Sequence, residues 1–323
     1  MPNTESPEHR PDASPESPLP LHTFPPPTIV PPLRQPHTQT VIFLHGRGSS
    51  ARIFAPPFLS ASVCGAITGP GTFRDALPHT RFVFPTAPRS RATIYRRSII
   101  NQWYDGSGDW EETVLGHARE TVKFVHALIE EEAIAVGGAY RVVLGGYSQG
   151  CAAALLCLLL WEGEPLGSVL GMCGMLPMAR ALEDILIDYR QTTDGDDNGV
   201  LEGGREDGIF EPTSGELQPD PFDRDGDEDA PSTNPLAQTL SVLREEIGLP
   251  PPLADAEVSL RKTPVFLGHG AEDDRVLLRY GKHASHVLRM MGCEVIFKTY
   301  DGLGHFYSKD MLEDMLEFLK SKA

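Results

Sequence analysis

Positive charge is scarce in this chain: 28 Lys and Arg face 45 Asp and Glu, a formal net charge of −17. Phosphates would be repelled, which argues against a nucleic-acid partner, and the same sign argues against adhesion to anionic membranes. Cysteine is also sparse. Cys64, Cys151, Cys157, Cys173 and Cys293 are scattered, odd in number and contain no C-x-x-C pair. That pattern speaks against a disulfide framework or a zinc site and fits reduced thiols in a cytoplasmic protein. Long apolar runs are missing as well. The longest, 151–161, falls short of the roughly 20 residues that cross a bilayer, so no stable membrane insertion is expected. The first residues carry neither the basic and apolar regions of a secretion leader nor the acid-poor composition of a mitochondrial one.

What is present is unevenly spread. Residues 1–40 hold 12 of the 29 prolines and few large apolar side chains. Such a segment buries too little surface to offset its ordering entropy. The expectation is a disordered Pro-rich extension over 1–40, with polyproline II stretches at 25–27 and 31–32. Residues 191–230 carry 14 Asp and Glu against 2 Arg, a local net of −12, so only −5 remains for everything else. The acidity belongs to one insert and not to the fold. The expected organisation is therefore a single α/β domain over 41–323, interrupted by an acidic, disordered insert at about 191–235. No internal repeat is visible.

After residue 40, short apolar runs alternate with longer helical patterns. Runs at 41–44, 81–84, 141–144, 168–172, 264–267 and 294–299 each end in a Gly- or Pro-containing loop and read as buried parallel strands. Residues 111–132, 149–161, 276–291 and 308–319 carry apolar side chains at helical spacing. Strand–helix alternation predicts a mostly parallel sheet with helices on both faces, and chemistry in the loops beyond the carboxyl ends of the strands.

One of those loops is Gly146-Tyr147-Ser148-Gln149-Gly150, a G-x-S-x-G sequence between a strand pattern and a helix pattern. A serine on such a tight turn is lifted above the sheet edge at the positive end of a helix dipole, which suits a nucleophile. It needs a base. His305, after Tyr300-Asp301-Gly302-Leu303-Gly304, follows the last strand pattern and stands in the right chain order. An acid must orient the imidazole. Asp273 and Asp274 adjoin in the preceding loop, and the residues alone do not separate them; Asp301 is too near His305 in sequence. Two backbone N–H groups must face the developing oxyanion. Gln149, next after the serine, is one position, and His45-Gly46-Arg47-Gly48 offers the other, best at Arg47. His45 and His269 each precede a glycine at a strand end, and one base suffices, so both are expected to bond loop carbonyls. Ile99, Ile100, Trp103, Met175 and Leu176 fall in loops beside the site and are candidates for an apolar acyl-chain wall.

Several segments together resemble the acyl-protein thioesterase and carboxylesterase (phospholipase/carboxylesterase) family of α/β-hydrolases. They are Phe43-Leu44-His45-Gly46-x-Gly48, Pro85-x-Ala87-Pro88, Trp103-Tyr104-Asp105, the Ser148 motif, Met175-Leu176-Pro177, His269-Gly270-x-x-Asp273-x-x-Val276 and Tyr300-x-Gly302-x-Gly304-His305. The resemblance covers 41–180 and 258–323. It implies the α/β-hydrolase fold and serine-based hydrolysis of acyl esters or thioesters, an S-acylated protein among the possible substrates. The family's H-G-x-x-D-x-x-V pattern places the acid at Asp273, and its oxyanion donors fall on Arg47 and Gln149. The chain departs from the family at Arg47, where Leu is usual, at Ser49, where Asp is common, and in the acidic insert. No cofactor or metal is implied. A hydrolase for a specialised small ester in a biosynthetic pathway is the alternative. A non-catalytic member of the fold would be expected to lack one of the three residues, and here none is missing. Monomer and homodimer both remain open.

Overall fold

In the computed structural model, residues 20–65, 69–106, 114–194, 234–252 and 256–322 are described. Seven strands form the central sheet: β1 (Thr28–Val30), β2 (Gln39–Leu44), β3 (Thr80–Phe84), β4 (Val142–Tyr147), β5 (Ser168–Met172), β6 (Val265–Gly270) and β7 (Val295–Tyr300), in the order β1-β3-β2-β4-β5-β6-β7. All pairings are parallel except that of β1 with β3. The helices are α1 (Ala51–Leu59), α2 (Ala118–Val136), α3 (Gln149–Leu159), α4 (Ala179–Asp194), α5 (Pro235–Glu246), α6 (Ala256–Lys262), α7 (Leu278–Met290) and α8 (Lys309–Lys322).

The strands are apolar on both sides because both sheet faces are covered. Successive residues point to opposite faces. Ile42, Leu44, Leu144, Val169 and Leu267 join one core with α2, α3, α4, α5 and α7, while Val41, Phe43, Val143, Leu170 and Phe266 join the other with α1 and α8. Helix α3 lies under α2 against the sheet and is buried all round, which explains its lack of a polar face. No described helix is long and apolar enough to cross a membrane.

Two expectations change. The segment 1–40 does not stay outside the fold, because Thr28–Val30 adds an antiparallel strand to β3. A three-residue edge strand tolerates the flanking prolines, since among the described residues no strand pairs with its outer side. The expected disorder of 1–19 lies outside the described residues. The helix expected from residue 111 begins at Ala118 instead. Val114–Leu115 pairs with Asp105–Gly106 as a two-residue ribbon, and Gly116, at φ +67°, turns the chain out of it. The ends of the insert are ordered: α4 runs to Asp194, and Asn234 caps α5 by accepting from Leu236 N at 3.1 Å. The expectation for the stretch between them also lies outside the described residues.

Candidate active site

The strand ends of β2, β4, β6 and β7 meet at one sheet edge, and each supplies a predicted residue. Ser148 joins β4 to α3 at φ 55°, ψ −121°, a conformation strained for a side chain with a Cβ. The glycines on either side permit this turn sterically. A Cβ on Gly146 would stand 2.1 Å from Gly150 O, and one on Gly150 would stand 2.2 Å from Leu44 O. The elbow is thus jammed against the end of β2, and Ser148 N donates to Met172 O at 2.8 Å on the neighbouring strand.

Ser148 Oγ lies 2.9 Å from His305 Nε2, and His305 Nδ1 lies 2.7 Å from Asp273 Oδ2. The other carboxylate oxygen accepts from the N–H groups of Arg275 and Val276, both at 2.9 Å. Burial alone would raise the Asp273 carboxyl. Hydrogen bonding from His269, His305 and Val276 N–H overcomes it and holds the group below the ordinary carboxylate range. The two neighbouring aspartates differ in burial: Asp273 is 3% exposed and bonded to His305, whereas Asp274 is exposed at the rim.

The loop carrying His305 is fixed by contacts that the sequence did not announce. Tyr147 Oη donates to His305 O at 2.7 Å, and Cys173 Sγ donates to Phe306 O at 3.1 Å. Tyr147 is the variable residue of the G-x-S-x-G motif, so no pattern marks it. His45 bonds loop groups as expected: Nδ1 donates to Gly46 O at 2.8 Å, and Nε2 accepts from Ala87 N at 3.0 Å. Burial lowers its pKa to about 4, which keeps the ring neutral in that role. His269 Nε2 donates to Val276 O at 2.7 Å and also stands 3.3 Å from Asp273 Oδ2.

Arg47 and Gln149 line the same cleft as Ser148 and His305. The Gln149 side chain faces inward: Oε1 accepts from Trp103 N at 3.1 Å, and Nε2 donates to Tyr104 O at 2.7 Å. The loop after β2 is held from outside by a hairpin of Arg89–Ala92 and Ser98–Asn101. Gly48 N donates to Asn101 O at 2.7 Å, and Asn101 Nδ2 donates to Ser49 O at 2.8 Å.

The cleft has a volume of about 760 Å³. Of the five residues expected to form its apolar wall, only Met175 lines it. Trp103 is wholly buried, with Nε1 donating to His45 O at 2.7 Å, and Leu176 belongs to the core beneath. Ile99 and Ile100 sit in the hairpin strand and do not line the cleft. The wall is instead Ile53, Phe54 and Pro57 of α1 with Tyr104, Phe306 and Tyr307. Among the described residues, no group of three or more His, Cys, Asp or Glu side chains could hold a metal ion.

A mostly parallel sheet with a serine at the β4–α3 elbow, hydrogen-bonded through histidine to a buried aspartate, defines the protein as an α/β-hydrolase. The profile of the phospholipase/carboxylesterase family matches residues 27–193 and 249–323, and the chain belongs to that family. It is 31% identical over 201 residues to acyl-protein thioesterase 1 of Yarrowia lipolytica, covering 60% of this chain and 80% of the relative. It is 24% identical to acyl-protein thioesterase 1 of Gibberella zeae over 301 residues, covering 91% and 94%. Among solved structures, acyl-protein thioesterase 2 of Zea mays superposes with a TM-score of 0.58 at 19% identity, covering 92% of this chain and 98% of the other. SOBER1 of Arabidopsis thaliana gives 0.57 at 21%, covering 88% and 99%. These two likenesses show the fold.

Proposed function

We propose that this chain hydrolyses long-chain acyl thioesters and esters, S-acylated proteins among them, through an acyl-enzyme on Ser148. The observation that carries this reading is the unbroken row from Ser148 Oγ in the cleft through His305 to the buried Asp273 behind it. His305 Nε2 takes the hydroxyl proton as Ser148 Oγ attacks the acyl carbonyl. Asp273 holds Nδ1 protonated and faces the imidazolium charge. The Arg47 and Gln149 N–H groups receive the oxyanion, and Gln149 stands at the positive end of the α3 dipole. Collapse expels the thiolate or alkoxide, which takes the proton from His305. Water then attacks the acyl-enzyme with His305 again as base, releasing the acid and restoring Ser148.

The wall of α1 side chains with Phe306 and Tyr307 supports an acyl chain as the group that fills the cleft. The names of the relatives support the thioester. The reaction takes place in the cytoplasm, where five free thiols persist. The test is hydrolysis of matched acyl esters and thioesters with chains of increasing length by the wild type and by Ser148→Ala. The expected result is activity that grows with chain length and vanishes in the variant. Activity confined to the shortest esters would point to a specialised small-ester hydrolase.

A further inference from the structure

Among the buried titratable side chains that the acyl-transfer steps leave unused, one faces the acid itself. His269 is 1% exposed at the end of β6, four residues before the acid. Its Nε2 faces two acceptors, the Val276 carbonyl at 2.7 Å and Asp273 Oδ2 at 3.3 Å. A nitrogen between a carbonyl and a carboxylate must carry the proton, so the ring is a donor there.

We propose that His269 is a positioning residue for the acid: it locks the turn 273–276 and faces the carboxylate oxygen that His305 uses. This inference rests on the acyl-transfer reading above. Val276 is gripped from both sides. Its N–H donates to Asp273 Oδ1 at 2.9 Å, and its carbonyl receives the His269 proton. One ring therefore ties the rigid end of β6 to the residue that fixes the first carboxylate oxygen, while its N–H dipole faces the second. Asp273 Oδ2 lies between two imidazoles, His269 from the core and His305 from the cleft, in a row that ends on Ser148.

An independent contact supports the ring from the other side. Helix α7 crosses it at Gly281, where a Cβ would stand 2.3 Å from His269 Nδ1 and 3.0 Å from Cε1. The helix backbone packs on the Nδ1–Cε1 edge of the imidazole and backs it from the side opposite Nε2. With the donor removed, the Val276 carbonyl and Asp273 Oδ2 lose a partner. The carboxylate then keeps the turn N–H groups and His305 but loses the support that sets its angle toward His305. Reacting groups misplaced by even about 1 Å lose rate on the order of 10²-fold.

The experiment compares wild type, His269→Phe, His269→Gln and Gly281→Ala. The readouts are kcat and KM on a long-chain acyl ester, the pH–rate profile, and the downfield proton signal of the His305 Nδ1–H in NMR. The expected result for His269→Phe is a kcat lower by about 10²-fold at unchanged KM, a displaced acid limb and a shifted or lost downfield proton. His269→Gln, which keeps a donor, restores part of kcat. Gly281→Ala moves the ring without changing any hydrogen-bonding side chain and lowers kcat in the same direction; it decides the matter should His269→Phe not fold. Folded variants with wild-type kcat, pH profile and proton signal would overturn the proposal. So would a loss of activity that only follows the folded fraction. An inactive wild type, or an equally active Ser148→Ala, would instead contradict the acyl-transfer reading on which it rests.

Discussion

At the scale of single residues, the site is a set of charges and dipoles held where water is scarce. Asp273→Asn keeps the shape but loses the charge that fixes the His305 tautomer, and kcat is expected to fall by about 10⁴-fold in the ester assay. The same variant carries a stability prediction. The Asp273 pKa is lowered in the folded state, so its ionisation stabilises the fold above the unfolded value of about 3.9. That contribution is lost as pH falls through the folded value. Denaturation of wild type and Asp273→Asn from neutral pH downward should therefore show a gap that is constant near neutrality and closes only below about pH 4. Ser148 and His305 were legible in the sequence because motif and chain order name them. Asp273 and Asp274 were not separable by spacing, since one is buried and the other exposed only once the turn is folded. The His269 contact to the acid was hidden for a related reason: it runs across the turn of β6, and the sequence reading left His269 only loop carbonyls to bond.

At the scale of elements, the elbow is the most constrained junction. Gly150→Ala forces a Cβ against Leu44 O and His45 O, backbone atoms that cannot step aside. Unfolding free energy is expected to drop by about 3 kcal/mol, at the upper end of overpacking costs, as read by chemical denaturation. The hairpin of Arg89–Ala92 and Ser98–Asn101 acts differently, since it supports the loop after β2 through Asn101. Asn101→Ala frees that loop near Arg47, and the expected outcome is a kcat loss of about 10-fold with little change in thermal stability. The strands were readable because parallel strands buried on both faces are continuous apolar runs. The apolar wall was not. Nearness in sequence suggested Ile99, Ile100, Trp103 and Leu176, but Trp103 and Leu176 fill the layer beneath the loops, while Ile53, Phe54 and Pro57 arrive from α1, a helix that no motif connects to the site.

At the scale of the whole molecule, the sheet edge and the charge distribution were read from composition, with mixed success. A Pro-rich amino-terminal segment looks unable to fold, yet a strand needs only a sheet edge to pair with, and Thr28–Val30 finds β3. Removing residues 1–36 should uncover that edge, lower Tm by several degrees and raise aggregation, measured by calorimetry and light scattering. The family match breaks between residues 193 and 249, a gap that holds the acidic stretch and also helix α5. The central claim is that Ser148 carries the acyl group. Its most direct test is reaction of the full chain with a fluorophosphonate, followed by intact-mass measurement and peptide mapping. The account predicts one adduct, on Ser148, absent in Ser148→Ala and slow to form in His305→Ala. An adduct on another residue, or a folded protein that takes none, would contradict it.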